Sequence, residues 1–260
     1  MFLMRLTYAQ KKGEEIMKKR KYDYGRNISD EAKKKQHRGE GTGAAYIPWI
    51  KVQDFNDNQG LASITIDPYT KRGVHLLSAG EIMAWYILRY DTNVVDIREQ
   101  FPLNIDITKR ICQENGLSHP SRNSRTGFHE IVMTSDFLVD FKNGSEKVYS
   151  VKYDSSYLLN ENTKKNLFIE KTYWNNKDIE FIIITREQLE PMSYYVANLR
   201  QAFYIADIDQ IHDIYSFIQY SITHHLIDID LTKRILDLDE VIENYPMLKN
   251  EYLRFKKGDD

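Results

Sequence analysis

Three short segments of the chain carry residue types that can act together on a phosphodiester. Glu81 follows S-A-G, Asp136 lies in T-S-D-F-L-V-D-F, and Lys152 ends S-V-K. Two carboxylates can hold Mg²⁺, which lowers the pKa of a bound water, and a nearby lysine can orient that water and offset phosphate charge. The types and order of these residues are typical of a metal-dependent nuclease site.

Each of the three residues also has a purely structural interpretation. Ser78 and Glu81 have the spacing of a capping box at a helix start, although Trp85 lies one turn on and puts Glu81 beside an apolar face. Asp136 could be a charge at a strand end, and Lys152 a lysine on an exposed edge strand. The residue types alone leave both interpretations open.

The register of one hairpin separates the two interpretations. A two-residue loop at Asn143-Gly144 would send Asp136 and Lys152 to opposite faces of the sheet. A three-residue loop with a left-handed Gly144 pairs Asp136 with Ser150 and leaves Lys152 diagonal to Asp136 on the same face. Only the second register builds a site, and the sequence permits both.

The elements that position these residues follow from periodicity and turn signals. The pattern predicts helices at 78–90 and 161–174, and strands at 94–98, 132–141, 147–152 and 181–185, the last of them buried. It predicts a long polar loop at about 114–127. After Pro191 it predicts helix almost throughout, including 212–222 and 230–238.

Composition excludes several other classes of protein. The chain has 260 residues, 42% of them hydrophobic and 28% charged, as in a globular protein. No apolar run is long enough to cross a membrane, and the lysine-rich N-terminus lacks the features of a secretory signal. The single cysteine, Cys112, fits a reducing cytoplasm, and the scattered histidines make a zinc site improbable.

Charge is distributed unevenly along the chain. Residues 1–40 carry 12 Lys/Arg against 6 Asp/Glu, and residues 201–260 carry 6 against 12. We expect the basic segment to be a flexible arm, with a hinge at G-E-G-T-G (39–43), that attracts phosphate backbones. We expect the acidic segment to repel DNA and to meet a protein partner, although a solvated arm and tail explain the same counts.

The motifs together resemble the TnsA family of endonuclease subunits of heteromeric bacterial transposases. The resemblance runs from about residue 39 to residue 185, in the family's order and near its spacing. It is carried by G-E-G-T-G-A-A-Y-I-P-W, G-V-H-L-L-S-A-G-E, V-V-D-I-R-E-Q-F-P-L, G-L-S-H-P, V-M-T-S-D-F-L-V-D, S-V-K and I-E-K-T-Y-W.

The resemblance implies an α/β restriction-endonuclease-like core, a mixed sheet flanked by helices, with Glu81, Asp136 and Lys152 as the catalytic triad. It implies Mg²⁺ as the cofactor, with Mn²⁺ as a substitute, and Glu81, Asp136, Ser150 and Val151 as metal ligands. Ser150 stands where the family usually has glutamine. A hydroxyl is shorter than a carboxamide, which puts strong binding of a second Mg²⁺ in doubt.

The resemblance also implies a bacterial cytoplasmic protein that cuts the 5′ ends of a transposon. Its implied partners are transposon-end DNA, a TnsB-type transposase and a TnsC-type ATPase regulator, which contacts the C-terminal domain. We divide the chain into a basic arm (1–40), a catalytic domain (41–195) and a small helical domain (196–260), for which a winged helix is one possible form. Candidate DNA-binding residues are Lys33, Lys34, Lys35, Arg38, Arg98, Arg122 and Arg125.

Two other functions fit the same sequence. The chain could be a nuclease fold kept as a non-catalytic adaptor between DNA, transposase and regulator, and Ser150 favours that interpretation. It could also be a free-standing restriction or repair nuclease, which would cut DNA without partners.

Overall fold

The structure is a computed structural model that describes residues 28–54, 62–124 and 127–257. The strands are β1 (Ser63–Ile66), β2 (Gly73–Leu76), β3 (Val94–Pro102), β4 (Ser121–Ser124), β5 (Gly127–Glu130), β6 (Thr134–Phe141), β7 (Glu146–Lys152) and β8 (Glu180–Thr185). The α-helices are α1 (Asp30–Lys35), α2 (Ala79–Arg89), α3 (Ile105–Glu114), α4 (Glu161–Asn175), α5 (Arg186–Leu189), α6 (Ser193–Ala202), α7 (Ile214–Thr223), α8 (Leu238–Asn244) and α9 (Met247–Lys257).

The central sheet has four strands in the order β3-β6-β7-β8. The first two pairs are antiparallel, and β7 and β8 are parallel because α4 crosses over between them. The predicted mixed sheet flanked by helices is therefore confirmed. The strand at 180–185 lies at the sheet edge and is mostly half-buried, with Ile183 exposed, so the prediction of a buried strand there is wrong.

The β6–β7 hairpin has the register that builds a site. Gly144 has a φ of +80°, the Phe141 amide donates to the Ser145 carbonyl, and the Gly144 amide donates to the Phe141 carbonyl. The strands pair Phe137 with Tyr149 and Asp140 with Glu146, so Asp136 stands opposite Ser150. Glycine accepts the left-handed conformation that this three-residue loop needs.

Two apolar clusters cover the two faces of the sheet. Phe137 and Val139 pack with Trp85 of α2 in one cluster. Leu138 and Val148 pack with residues of α4, such as Trp174, in the other. From Phe137 to Val139 the alternation of side chains along β6 thus sends the two odd-numbered residues to α2 and Leu138 to α4, whereas Ser135 accepts from Trp174 of α4.

The predicted loop at 114–127 is partly wrong. Residues 121–124 and 127–130 form an antiparallel two-stranded hairpin, β4–β5, that pairs Ser121 with Glu130. The two segments, S-R-N-S and G-F-H-E, contain one large apolar residue between them, so they show no hydrophobic alternation from which strands could be predicted.

The helices after residue 185 share a core with α2. Phe203, just past α6, packs edge-on against Trp85 with ring centroids 6.1 Å apart, and Phe217 and Ile218 of α7 belong to the same cluster. Residues 186–257, all of them described, contain no strand, so the winged helix is not confirmed. The division into domains stays a prediction.

The predicted helix at 230–238 is wrong, since α8 begins only at Leu238. The buried Asn198 side chain on α6 donates to the carbonyls of Leu231 and Arg234 and accepts from the amide of Leu236. These bonds occupy backbone groups that a helix would use internally. A residue more than thirty positions away therefore decides the conformation of this segment.

Residues 28–40 are packed onto the rest of the molecule, which differs from the expected flexible arm. The amide of Val132 donates to Asp30, and the Arg38 guanidinium is buried against the Asp54 carboxylate. In the G-E-G-T-G stretch, the Gly39 amide donates to the Ile47 carbonyl and the Gly43 amide to Asp96, which ties this loop to β3. The first 27 residues lie outside the described residues. Among the described helices, none is long and apolar enough to cross a membrane.

Candidate active site

The hairpin brings Asp136 and Lys152 into direct contact. The Asp136 Oδ2 atom accepts from the Val151 amide at 2.6 Å and lies 3.3 Å from Lys152 Nζ. Lys152 Nζ also donates to the Val151 carbonyl at 3.1 Å. The predicted placement of Asp136 and Lys152 on one face is confirmed. The short hydrogen bond from the Val151 amide holds the Asp136 carboxylate in one orientation.

Glu81 is both a helix cap and a part of the site. The Ser78 hydroxyl accepts from the Glu81 amide and donates to Glu81 Oε1, and the Leu77 amide donates to Oε2 at 2.9 Å. The Ser78 hydroxyl caps α2 as predicted, although the Glu81 carboxylate accepts from the Leu77 amide and the Ser78 hydroxyl rather than from the Ser78 amide of a full capping box. The carboxylate is nevertheless only 6% exposed, and it lies near enough to feel the charges of Asp136 and Lys152. The two interpretations of Glu81 are therefore compatible.

Ser150 and Val151 both adjoin the Asp136 carboxylate. The Ser150 side chain is fully buried, and its hydroxyl lies 3.5 Å from Asp136 Oδ2 and 3.4 Å from Glu170 Oε2. Val151 contributes its amide to Asp136 and its carbonyl to Lys152. The Ser150 hydroxyl thus faces the carboxylates, at distances too long for strong hydrogen bonds.

Glu170 on α4 is a member of the cluster that the sequence argument missed. It is 5% exposed, and its Oε1 atom is buried with no hydrogen bond of normal geometry among the described residues. Its position in the sequence carries a usable signal, because Leu167, Tyr173 and Trp174 surround it at helical spacing on the buried side of α4. An acidic residue on an apolar helix face calls for an explanation.

The charges of the cluster do not balance. Burial and the negative charge of Asp136 raise the pKa of Glu81 to about 8. Burial, again with Asp136, raises the pKa of Glu170 to about 7, although Lys152 opposes the shift. Burial alone would lower the pKa of Lys152, but the attraction of Asp136 and Glu170 outweighs it and the pKa is raised. Three carboxyls share one lysine, so the cluster would carry excess negative charge with all three ionised, and the raised pKa values of Glu81 and Glu170 relieve that excess by protonation.

This excess charge and the free Glu170 oxygen suit a divalent cation. Among the described residues, no three His, Cys, Asp or Glu side chains are gathered into a ready-made metal site. An ion here would therefore take one or two carboxylates and keep several waters, which is how proteins usually hold Mg²⁺. The oxygen-rich donor set also disfavours zinc, which prefers nitrogen and sulfur ligands.

The candidate DNA-binding residues differ in how exposed they are. Lys34 and Lys35 are exposed, whereas Lys33 is half-buried over the Trp49 ring.

Arg38 is buried against Asp54, and Arg98 is held by Asp140 and Glu146. Both arginines thus serve the fold, and their contact with DNA stays a prediction. Arg122 is exposed on β4, and Arg125 lies outside the described residues.

At one end of the mixed sheet, α2, α4 and the β6–β7 hairpin bring a lysine beside buried carboxylates. This arrangement is expected of a metal-dependent nuclease. Residues 91–186 match the family model described as TnsA-like endonuclease N terminal. The chain is also 35% identical over 159 residues to the transposon Tn7 transposition protein TnsA of Escherichia coli. The predicted resemblance to the TnsA family is therefore confirmed.

The two matches cover different shares of the molecule. The family model includes Asp136, Lys152 and Glu170 but begins after Glu81. The match to the Escherichia coli protein covers 61% of this chain and 56% of that relative. The chain thus spans about half the length of the relative. The residues that the family model matches contain the central sheet and its β6–β7 hairpin.

Proposed function

We propose that the chain is a Mg²⁺-dependent DNA endonuclease with a restriction-endonuclease-like core, working inside a transposase complex and cutting the 5′ ends of the transposon. The contact between Asp136 and Lys152, inside the segment that resembles TnsA-like endonucleases, is the observation that carries this proposal. The buried Glu81 beside that pair supports it.

Each residue has a role that follows from its contacts. Asp136 is oriented by the Val151 amide, so its carboxylate is preorganised to hold a cation. Glu81 supplies a second carboxylate, directly or through water. Mg²⁺, when bound, lowers the pKa of a water and stabilises the charge that develops on the phosphate. Lys152 carries its positive charge beside the same position, where it orients the attacking water and offsets phosphate charge.

The neighbours of Asp136 have supporting roles in this proposal. The Val151 carbonyl is an oxygen ligand available at the same place. Ser150, with its short side chain, reaches a cation through water rather than directly. Glu170 adds negative charge from the α4 side, and its buried free oxygen gives a water or ion a hydrogen-bond acceptor.

The decisive experiment mixes the protein with its TnsB-type transposase, transposon-end DNA and Mg²⁺, and maps nicks on each strand. We expect 5′-strand nicks that disappear in EDTA and in Lys152→Ala. Nicks made without the transposase would instead indicate a free-standing nuclease. No 5′-strand nicks in the complete mixture would contradict the proposed activity.

The non-catalytic adaptor remains the second candidate. Ser150 favours it, because the hydroxyl supplies less ligand oxygen at the site than the glutamine usual in the family. An adaptor predicts that the complex assembles and the transposase cuts its own strands at full rate, while Asp136→Ala changes nothing. The endonuclease predicts loss of only the 5′-strand nicks in that variant.

We further propose that the helical region at 196–260 contacts a TnsC-type ATPase regulator. Large apolar side chains are exposed there, among them Tyr204, Leu226 and Met247, beside carboxylates that would repel DNA. Since these helices share a core with α2, the region is best tested in the full chain. A Leu226→Asp, Met247→Asp variant should lose capture of the regulator but keep DNA binding. Undiminished capture would contradict this assignment.

A further inference from the structure

Gln100 has an unusual backbone conformation next to the candidate site. Its φ is +50°, a left-handed value that residues other than glycine rarely adopt, and it lies inside strand β3 with only 3% of its surface exposed. Such strain persists only when the surroundings impose it, and it is found most often at functional sites. A glycine would adopt this conformation without strain, so the glutamine side chain needs an explanation.

The Gln100 carboxamide links two parts of the site. Its Nε2 donates to Glu81 Oε2 at 3.2 Å, and its Oε1 accepts from the Thr134 hydroxyl at 3.2 Å. When Glu81 is ionised, as it would be with a cation bound, its oxygens only accept, so the Gln100 nitrogen faces Glu81 in that state. Its backbone carbonyl also accepts from the Trp49 amide.

The pairing of β3 with β6 explains why the strain occurs at this residue. Glu99 pairs with Phe137 and Phe101 with Ser135, so Gln100 stands opposite Asp136, and the pairing skips both. Among the described residues, the other donors to the Glu81 carboxylate are the Leu77 amide and the Ser78 hydroxyl, at the start of its own helix. Gln100 therefore ties the helix-borne carboxylate to the strand opposite Asp136.

We propose that Gln100 is a positioning residue that holds the Glu81 carboxylate at the cation site, and that the left-handed backbone at Gln100 serves to direct its carboxamide there. The inference rests on the proposed function, because it assigns Glu81 to a cation site. It predicts that Gln100 acts on metal affinity through Glu81 rather than on the stability of the fold.

The test uses the full chain and three substitutions. Gln100→Met keeps the volume but removes both hydrogen bonds, Gln100→Asn keeps a shorter carboxamide, and Gln100→Gly removes the side chain and the strain. Asp178→Gly is a matched control, since Asp178 also has a positive φ of 56° but lies exposed in the turn after α4. Each is measured for Mn²⁺ affinity by calorimetry, for thermal unfolding in EDTA and for 5′-strand nicking.

We expect Gln100→Met and Gln100→Gly to lose about tenfold or more in Mn²⁺ affinity, as is usual when a residue that orients a ligand is removed. Gln100→Asn should recover part of this loss, nicking should need correspondingly more metal, and Asp178→Gly should match the wild type. Unchanged Mn²⁺ affinity in any folded Gln100→Met or Gln100→Gly protein would overturn the inference. A wild-type chain that binds Mn²⁺ but never nicks would count against the proposed function alone.

Discussion

The β6–β7 hairpin carries a cluster of charged side chains at each end, and the two clusters differ in burial. At the open end, Asp136 and Lys152 are 17% and 18% exposed, and Glu81 and Glu170 are nearly inaccessible. At the loop end, the Arg98 guanidinium bridges Asp140 and Glu146 at 2.5 and 2.8 Å, and these carboxylates are 27% and 38% exposed. Both clusters contain more acidic than basic groups.

The comparison shows two ways in which the fold accommodates more carboxyl groups than basic groups in one cluster. At the loop end, solvent partly screens the two carboxylates and a single arginine, itself 13% exposed, donates to both; burial still raises the pKa of Asp140, although Arg98 opposes the shift. At the open end, burial removes that screening, so the pKa values of Glu81 and Glu170 rise well above the usual glutamate range. We infer that the buried end is organised for a ligand and the exposed end for the hairpin itself.

The largest expected effect is on the rate of 5′-strand cleavage, which should depend on the open end of the β6–β7 hairpin and not on its loop end. Asp136→Asn should lower 5′-strand nicking by about 1,000-fold, on the order of 4 kcal/mol of activation free energy, because it removes the charge nearest Lys152. Asp140→Asn, four residues along the same strand, should nick at nearly the wild-type rate. Equal losses in the two variants, measured as single-turnover rates, would show that the ends do not differ in function.

Glu81→Gln should have the next largest effect, with nicking reduced about 100-fold, on the order of 3 kcal/mol. Glutamine still serves in a capping box, so α2 should form normally and circular dichroism should be unchanged. Full activity in this variant would leave Glu81 with only its capping role.

The pH dependence of stability should also distinguish the buried end. In the metal-free protein the folded pKa values of Glu81 and Glu170, about 8 and about 7, exceed the ordinary glutamate value of 4.5. Their protonated forms favour the fold at low pH, and this contribution is lost as pH rises through the folded values. We expect the free energy of unfolding in EDTA to fall by on the order of 2 kcal/mol between pH 6 and pH 8.

Denaturant titrations at each pH would measure this slope. Glu81→Gln should flatten it, because glutamine cannot ionise, and Asp140→Asn should leave the slope between pH 6 and pH 8 almost unchanged. A wild-type stability that does not vary with pH in EDTA would contradict the assignment of raised pKa values to the buried end.

The smallest expected effect concerns Ser150. Ser150→Gln should lower the Mg²⁺ concentration needed for half-maximal nicking by a few-fold, because a carboxamide oxygen can replace a ligand water. Ser145→Gln, directly after the hairpin loop and far from the Asp136 carboxylate, is the matched control and should leave the Mg²⁺ dependence unchanged. An Mg²⁺ titration unaffected by Ser150→Gln would argue that this side chain does not reach the cation.

Local sequence signals predicted the elements that carry the site. The hairpin register depends on a three-residue loop that ends at Gly144, and α2 begins directly after its predicted cap Ser78, because both signals act within one turn of chain. The same approach failed at 230–238, where the Asn198 side chain from α6 holds the backbone. It also missed Glu170, whose partners come from strands at least eighteen positions away in sequence.

The sequence by itself determined the identity and order of Glu81, Asp136 and Lys152 and the resemblance to TnsA, and it limited the β6–β7 turn to two registers. The structure selected the three-residue loop that puts Asp136 and Lys152 on one face. The features that the sequence determined depend on residue types and on spacings within single elements, which backbone geometry converts into position without long-range information. Only the tertiary structure decided that Arg38 and Arg98 are paired with carboxylates, that Gln100 adopts a strained conformation beside Glu81, and that Glu170 joins the cluster. Burial and charge balance depend on contacts between elements distant in the chain, and no local pattern encodes them.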